Sequence, residues 1–193
     1  MRIIAGRFRG RRLQGPRGRE LRPTSDRLRE SLFNILGAGI RDAVVLDGFA
    51  GTGAVGLEAL SRGAREAVFL ESSREAAQLI RRNAGLCGVA GGFRVMEGNI
   101  FTSLRHLARS GFAATFAFFD PPYRWGPYGD LLATVARAGI AATGSPVVLE
   151  HHFRAPVPES GPGFRRLRLV RQGDKCLGFY VMEGGPPPDP ADP

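Results

Sequence analysis

Four consecutive residues carry the strongest indication of chemistry in this 193-residue chain: Asp120, Pro121, Pro122 and Tyr123. An exocyclic amine of a nucleobase is a poor nucleophile, because its lone pair is delocalised into the ring, and acceptors on its N–H groups help it to react. Asp120 can supply one acceptor, and the Pro121 carbonyl, fixed by two prolines, can supply another. Tyr123 can stack on the base. The alternative is that the prolines only end a buried strand and Tyr123 is a rim aromatic.

A glycine-rich segment upstream predicts a cofactor site. The β-branched run at 44–47 predicts a strand, and Gly51 to Gly56 then fits a G-x-G-x-x-G fingerprint that leads into a helical pattern. Glu71 ends the next predicted strand, at a spacing suited to a ribose diol. A nicotinamide-dependent dehydrogenase is therefore one alternative. Asp47 argues against it, because a carboxylate there would repel a pyrophosphate but attract a cofactor with a cationic amino-acid end.

Together these two motifs resemble those of S-adenosylmethionine (AdoMet) methyltransferases that modify base amino groups. Two further stretches, residues 2–7 (RIIAGR) and residues 22–36 (RPTSDRLRE followed by Phe33, Asn34 and Leu36), are similar to the RsmD family. That family comprises bacterial enzymes that methylate guanine N2 in 16S ribosomal RNA. The resemblance runs from about Arg2 to Met182, so it covers nearly the whole chain.

The resemblance implies a catalytic set at 120–123 and a cofactor site around the glycine loop. The implied AdoMet contacts are Thr24, Asp47, Phe49, Ala50, Gly51, Thr52, Gly53, Glu71, Ser72, Asn99 and Ile100. Glu71 would bind the ribose hydroxyls. Asn99 stands where many AdoMet enzymes place an Asp that binds the adenine amino group. No metal is expected.

Charge is concentrated at the start of the chain. Residues 1–29 hold ten arginines against Glu20 and Asp26, a local net charge of +8 out of +9 for the whole chain. Clustered arginines suit a polyanion, so ribosomal RNA, within a small-subunit particle or an assembly intermediate, is the expected partner. The predicted RNA contacts are Arg7, Arg9, Arg11, Arg12 and Arg22. The alternative is a solvated basic arm in an arginine-rich protein, whose only lysine is Lys175.

Composition favours one compact enzyme. With 43% apolar residues the chain can fill the core of one α/β domain. No apolar run approaches bilayer length and the N-terminus lacks a secretory pattern, so a cytoplasmic monomer without membrane contact is expected. Cys87 and Cys176 are predicted to be buried free thiols. The three histidines show no ligand pattern; they are His106, His151 and His152.

Periodicity predicts a doubly wound, Rossmann-like α/β sheet, mostly parallel, with a C-terminal antiparallel hairpin. Strands are expected near 44–48, 67–71, 93–97, 114–120 and 146–151, and helices near 53–63, 73–86, 101–109 and 129–141. The C-terminal hairpin is predicted at 165–171 and 176–182, and a small N-terminal hairpin at 3–8 and 11–13. A helix follows Thr24. The predicted domains are a basic extension at 1–38, a methyltransferase domain at 39–183 and a disordered tail at 184–193.

Two other functions fit the same residues. The chain could methylate adenine N6 in DNA or RNA, since the motif at 120–123 does not identify the base. It could also be a non-catalytic RNA-binding protein of the AdoMet fold, although the motifs at 47–56 and 120–123 would then be unexplained. Trp125 could receive the base or cap the core edge. Glu150 could support the first strand or line the pocket.

Overall fold

The computed structural model describes residues 1–16, 26–122 and 125–183. Four predictions concern residues outside these ranges: those for Arg22, Thr24, Tyr123 and the tail at 184–193. Contacts within the chain divide it into two compact units, Met1–Ile100 and Phe101–Pro193.

The first unit alternates helices with parallel strands. Its elements are α1 (Asp26–Leu36), a short 3₁₀ helix (Gly37–Ile40), β1 (Val44–Gly48), α2 (Ala54–Ser61), β2 (Glu66–Glu71), α3 (Arg74–Cys87) and β3 (Phe93–Glu97). The strands pair in the order β3-β2-β1. Strand β1 is buried along its whole length, as expected for a parallel strand covered on both faces. The carboxyl ends of the three strands lie at one edge, where the glycine loop begins.

The second unit continues the α/β pattern and ends in antiparallel strands. Its elements are α4 (Ile100–Arg109), β4 (Phe116–Phe119), α5 (Tyr128–Arg137), β5 (Pro146–His152), β6 (Ser160–Gly161), β7 (Phe164–Gln172) and β8 (Lys175–Met182). Strands β4 and β5 are parallel. Strand β8 pairs antiparallel with both β5 and β7, and β7 with β6. The predicted α/β class with a C-terminal hairpin is confirmed.

Some element bounds differ from the prediction for identifiable reasons. Strand β4 is shorter than 114–120 because Ala114 makes only an isolated bridge, to Ala141. Helix α5 ends at Arg137 rather than 141, because Gly139 adopts a φ of +62° and the Ile140 N–H turns back to the Val135 carbonyl. A glycine with positive φ is a common way to end a helix.

The predicted N-terminal hairpin is reduced to one bridge. Arg2 and Arg12 form an isolated antiparallel pair, and the residues between them make turns rather than strands. Gly6 has a φ of +82°, and a Cβ there would lie 1.9 Å from the Ser61 carbonyl oxygen. The backbone of this segment therefore lies directly against α2. Its N–H groups donate partly across the segment, from Ile3 to Arg11 and from Leu13 to Met1, and partly to Glu58 and Ser61 of that helix.

Candidate active site

The glycine loop after β1 holds an unusual backbone shape. Phe49 has a φ of +57°, and Gly51 and Gly53 have values of +56° and +76°. Gly56 lies one turn into α2, where a Cβ would come within 2.4 Å of the Phe69 ring. Only glycine lets α2 approach β2 this closely. The loop therefore places several backbone N–H groups and the start of α2 together at the ends of the strands.

Asp47 is buried at the base of this loop. The residue is only 2% exposed, and its Oδ2 accepts the Gly56 N–H at 2.9 Å. Burial raises the pKa of Asp47 to about 7; the Gly56 N–H lowers that pKa and the nearby Glu71 charge raises it further. A carboxylate in this position gains from any cationic group that approaches it.

Glu71 ends β2 and fastens the loop from the other side. Its Oε2 accepts the Gly51 N–H at 2.8 Å, and its Oε1 accepts the Ser73 N–H at 2.9 Å. Each carboxylate oxygen has two lone-pair sites, so both can still accept a hydroxyl. Glu71 thus orients the glycine loop and keeps acceptor sites at the position where the sequence predicts a ribose partner.

The other predicted cofactor residues of the described chain lie around the same strand ends. The Ala50 N–H donates to the Leu70 carbonyl at 3.1 Å, and Thr52 is buried. Ser72 is exposed just after β2. Asn99 is exposed and Ile100 buried just after β3. The structure therefore brings the predicted residues at 47–53, 71–72 and 99–100 to one edge of the first unit.

The Asp-Pro-Pro motif lies in the second unit, directly after β4. Asp120 is half-buried, Pro121 buried and Pro122 exposed. The Pro122 carbonyl accepts the Trp125 N–H at 2.8 Å, which closes this segment on itself. Burial raises the pKa of Tyr128, and the negative charge of Asp120 raises it further.

Aromatic rings pack on Trp125, which lies three residues after Pro122. Trp125 stacks on Phe101 with centroids 6.1 Å apart and an interplanar angle of 18°. The ring of buried Tyr128 also contacts it edge-on, with ring centroids 5.5 Å apart. Trp125 therefore links the end of the motif to the starts of α4 and α5.

Glu58 is a functional-site residue that sequence reasoning missed. It is fully buried on α2 and accepts the Ile4 N–H at 2.7 Å and the Ala5 N–H at 3.0 Å. Arg62 donates to it at 2.8 Å, and buried Arg29 lies 3.8 Å away. A carboxylate in an otherwise apolar helix was the available signal. Its role is to fasten the N-terminal segment to α2.

Asn83 on α3 was also missed, and it connects the N-terminal segment to the glycine loop. Its amide donates to the Thr52 carbonyl at 2.9 Å and to the Gln14 carbonyl at 3.1 Å, and it accepts the Gln14 N–H at 2.8 Å. Residues 1–16 are thus bonded to the loop that is predicted to hold the cofactor.

The predicted RNA contacts within the described chain are exposed on this segment: Arg7, Arg9, Arg11 and Arg12. The guanidinium of Arg7 lies 4.7 Å from the Phe8 ring centroid, and Arg11 donates to the Leu86 carbonyl at 3.1 Å. A cavity of about 310 Å³ lies between the segment and α1, lined by Arg2, Ile3, Ile4, Arg9, Gly10, Asp26, Arg27 and Glu30. It is polar, and it does not include the glycine loop.

Several other titratable side chains are buried. Cys87 and Cys176 are buried free thiols, as predicted, and burial raises the pKa of each. Burial lowers the pKa of His151. Buried Glu150 is paired with Lys175 of β8. Among the described residues, no group of three or more histidines, cysteines and carboxylates is placed to hold a metal, and no helix is long and apolar enough to cross a bilayer.

Comparison with known proteins covers nearly the whole chain. A family model described as Conserved hypothetical protein 95 matches residues 1–181. Ribosomal RNA small subunit methyltransferase D of Escherichia coli (strain K12) is 39% identical over 183 residues, which are 95% of this chain and 90% of that protein.

Solved structures share the fold. The candidate methyltransferase yhhF from Escherichia coli superposes with a TM-score of 0.83 at 36% identity, over 96% of this chain and 99% of that one. SMU.776, a candidate methyltransferase solved with SAH, has a TM-score of 0.62 over 81% of this chain and 48% of that one; its 13% identity shows a shared fold alone. From the family model and the long match to the Escherichia coli relative, the chain belongs to the RsmD family.

Proposed function

We propose that this chain is an AdoMet-dependent methyltransferase that modifies the exocyclic N2 amine of a guanine in 16S ribosomal RNA. The observation that carries the proposal is the position of Asp120 and Pro121 directly after β4, in a chain whose glycine loop is fastened by Asp47 and Glu71. The Escherichia coli relative, named as a small-subunit ribosomal RNA methyltransferase, supports the substrate class.

The residues of the first unit fit AdoMet. Asp47 is buried, carries a pKa raised to about 7 and would gain from the cationic methionyl amine. Glu71 keeps lone pairs for the ribose hydroxyls, and Asn99 and Ile100 would border the adenine. Bound AdoMet would supply a sulfonium methyl group, which is transferred to the amine nitrogen while the carbon–sulfur bond breaks.

Asp120 and the Pro121 carbonyl would prepare the acceptor amine. Each would accept one N–H, which holds the nitrogen lone pair toward the methyl group and stabilises the positive charge that develops on nitrogen. The nitrogen becomes acidic once it is methylated, so its proton can leave to water without a strong base. Positioning therefore supplies most of the rate enhancement. The base must first leave its stack, at a cost of a few kcal/mol.

Arginines of the N-terminal segment would bind the RNA backbone. Arg7, Arg9 and Arg12 are exposed, and the segment is bonded to the glycine loop through Asn83. Phosphate contacts there would bring the RNA to the cofactor side of the first unit. We propose a small-subunit particle or assembly intermediate as the acceptor and a monomeric enzyme.

Nucleoside mass spectrometry of 16S RNA tests the proposal. RNA from cells that lack this chain should lose one N2-methylguanosine, which the wild-type chain restores and Asp120→Ala does not. Loss of N6-methyladenosine instead would identify an adenine enzyme. An unchanged nucleoside profile would mean that the chain binds RNA without methylating it.

A further inference from the structure

Strand β7 carries a surface that the proposed catalytic function does not use. Its nine residues include four arginines and no acid. Leu167 and Leu169 are 58% and 46% exposed, two of the three large apolar side chains exposed in the described chain. On the outer side, β6 pairs only with Phe164 and Arg165, so the rest of this edge has no strand neighbour among the described residues. Charged side chains alone would protect such an edge from pairing with another chain, whereas exposed leucines indicate a surface that binds a partner.

An aromatic ring flanked by guanidinium groups lies beside this strand. The Phe153 ring centroid is 4.0 Å from the Arg171 guanidinium carbon and 5.1 Å from that of Arg154, and the His152 ring lies 4.7 Å away. The Arg171 Nε donates to the Gly173 carbonyl at 3.0 Å, which fixes that side chain. Leu169 is two residues before Arg171 and shares its face of the strand. We call Phe153, Arg154, Leu169 and Arg171 the Phe153 platform.

The charges of the platform are available to a ligand. Arg165 and Arg166, earlier on β7, are paired with Glu183 and Glu159. Within the described chain, Arg154 and Arg171 form no ion pair with a carboxylate. Aromatic rings and guanidinium planes stack on unpaired bases, and guanidinium N–H groups bind phosphates.

We propose that the Phe153 platform binds a single-stranded segment of the RNA substrate, as a second contact surface besides the N-terminal arginines. The inference rests on the proposed RNA substrate and adds a recognition element within the second unit. A base would stack on the ring and guanidinium planes, while Arg171 and Arg154 would bind the adjoining phosphates.

Salt-dependent binding to protein-free 16S RNA tests this surface with a matched pair of variants. Arg171→Gln removes a platform charge, whereas Arg168→Gln removes an exposed charge three residues away on the other face of the same strand. Arg171→Gln should lower the salt slope of binding by about 0.7 to 1 unit. Arg168→Gln should leave the slope unchanged. Phe153→Leu should weaken binding about tenfold without changing the slope, because it removes a stacking ring and no charge.

Equal salt slopes for Arg171→Gln and Arg168→Gln would overturn the proposal, as would wild-type RNA affinity of a folded Phe153→Leu variant. If Phe153→Leu weakened binding only to assembled small subunits, the partner would be a protein and the RNA proposal would be wrong. Affinity for S-adenosylhomocysteine and the thermal midpoint report whether each variant is folded. RNA binding is measured without methyl transfer, so failure of the proposed reaction would be seen separately, in the nucleoside profile.

Discussion

The glycine loop and the Asp-Pro-Pro motif are held in place by different interactions. In the first unit, Asp47 and Glu71 fix the loop through charge-assisted hydrogen bonds to backbone N–H groups of Gly56, Gly51 and Ser73. In the second unit, the Pro122 carbonyl accepts the Trp125 N–H, and Trp125 stacks on Phe101 beside the motif. Carboxylates organise the first region, whereas aromatic rings pack beside the second.

This difference has consequences for how each region responds to change. The carboxylate-held loop should be sensitive to pH and to loss of a single charge, because buried charges depend strongly on their partners. The ring-packed region beside the motif should tolerate one aromatic ring in place of another. The following variants test that contrast, beginning with the largest effect.

Asp120→Ala should reduce methyl transfer by about 10³-fold or more while leaving S-adenosylhomocysteine affinity nearly unchanged. The acceptor matters mostly in the transition state, so its loss lowers the rate rather than cofactor binding. Single-turnover methylation and calorimetry measure the two quantities. Asp130→Ala, which removes an exposed carboxylate on α5, is the control. Near-normal turnover of Asp120→Ala would remove Asp120 from the mechanism.

Asp47 should make stability depend on pH. Its pKa rises from 3.8 to about 7 on folding, because burial disfavours the charged form. Between these two pH values the folded chain keeps a proton that the unfolded chain has released. The resulting contribution to the free energy of unfolding is fully present below pH 3.8 and is lost as the pH rises through about 7. The loss is on the order of 4 kcal/mol.

The side chain introduced by Asp47→Asn cannot ionise, so this variant should lack the decline in the free energy of unfolding that Asp47 causes. Urea unfolding between pH 4 and pH 8 would measure that free energy, with Asp130→Asn as the control. If Asp47→Asn and wild type showed parallel pH profiles, the carboxylate would not be the titrating group and the first half of the comparison would fail.

Glu71→Gln should weaken cofactor binding by roughly 1 to 3 kcal/mol. The amide supplies one acceptor oxygen where the carboxylate supplies two, so it cannot hold both Gly51 and Ser73 and also bind a diol as strongly. Calorimetry with S-adenosylhomocysteine measures the loss, and Glu75→Gln on the exposed first turn of α3 is the control. Unaltered affinity would mean that another group binds the ribose.

The sequence predicted the strand ends well because alternation and glycine spacing are local signals. Strands β1 and β3 have the predicted bounds, and Asp47 and Glu71 lie at strand ends as expected. What could not be predicted is how those carboxylates are used inside the fold. Their hydrogen bonds to Gly56, Gly51 and Ser73 depend on tertiary distances.

The N-terminal segment shows the same limit more strongly. Its charge predicted RNA contacts, but not that its backbone is bonded to Glu58, Ser61 and Asn83 on α2 and α3. These partners are 50 or more residues away in sequence, and periodicity carries no information on such pairs. Removal of residues 1–12 would therefore take from Glu58 and Ser61 the backbone partners that this segment supplies, so charge substitutions test RNA binding more cleanly than deletion.

Trp125 gives the smallest expected effect and the sharpest test of the ring-packed region. Trp125→Ala removes the stack on Phe101 and the edge contact with Tyr128, interactions worth about 0.5–1.5 kcal/mol per ring pair. Methyl transfer should fall by at most about tenfold per lost pair. Trp125→Phe keeps a ring and should recover most of the rate, with S-adenosylhomocysteine affinity unchanged in both.

Because Trp125 is the only tryptophan, its fluorescence reports directly on the packing beside the motif. Phe101→Leu should open one face of the indole, and acrylamide should then quench its emission more strongly than in wild type. The same variant should slow methyl transfer by at most about tenfold, less than Trp125→Ala, since it breaks the stack but keeps the edge contact with Tyr128. If Phe101→Leu increased quenching but left the rate unchanged, the rings would pack beside the motif without positioning Asp120.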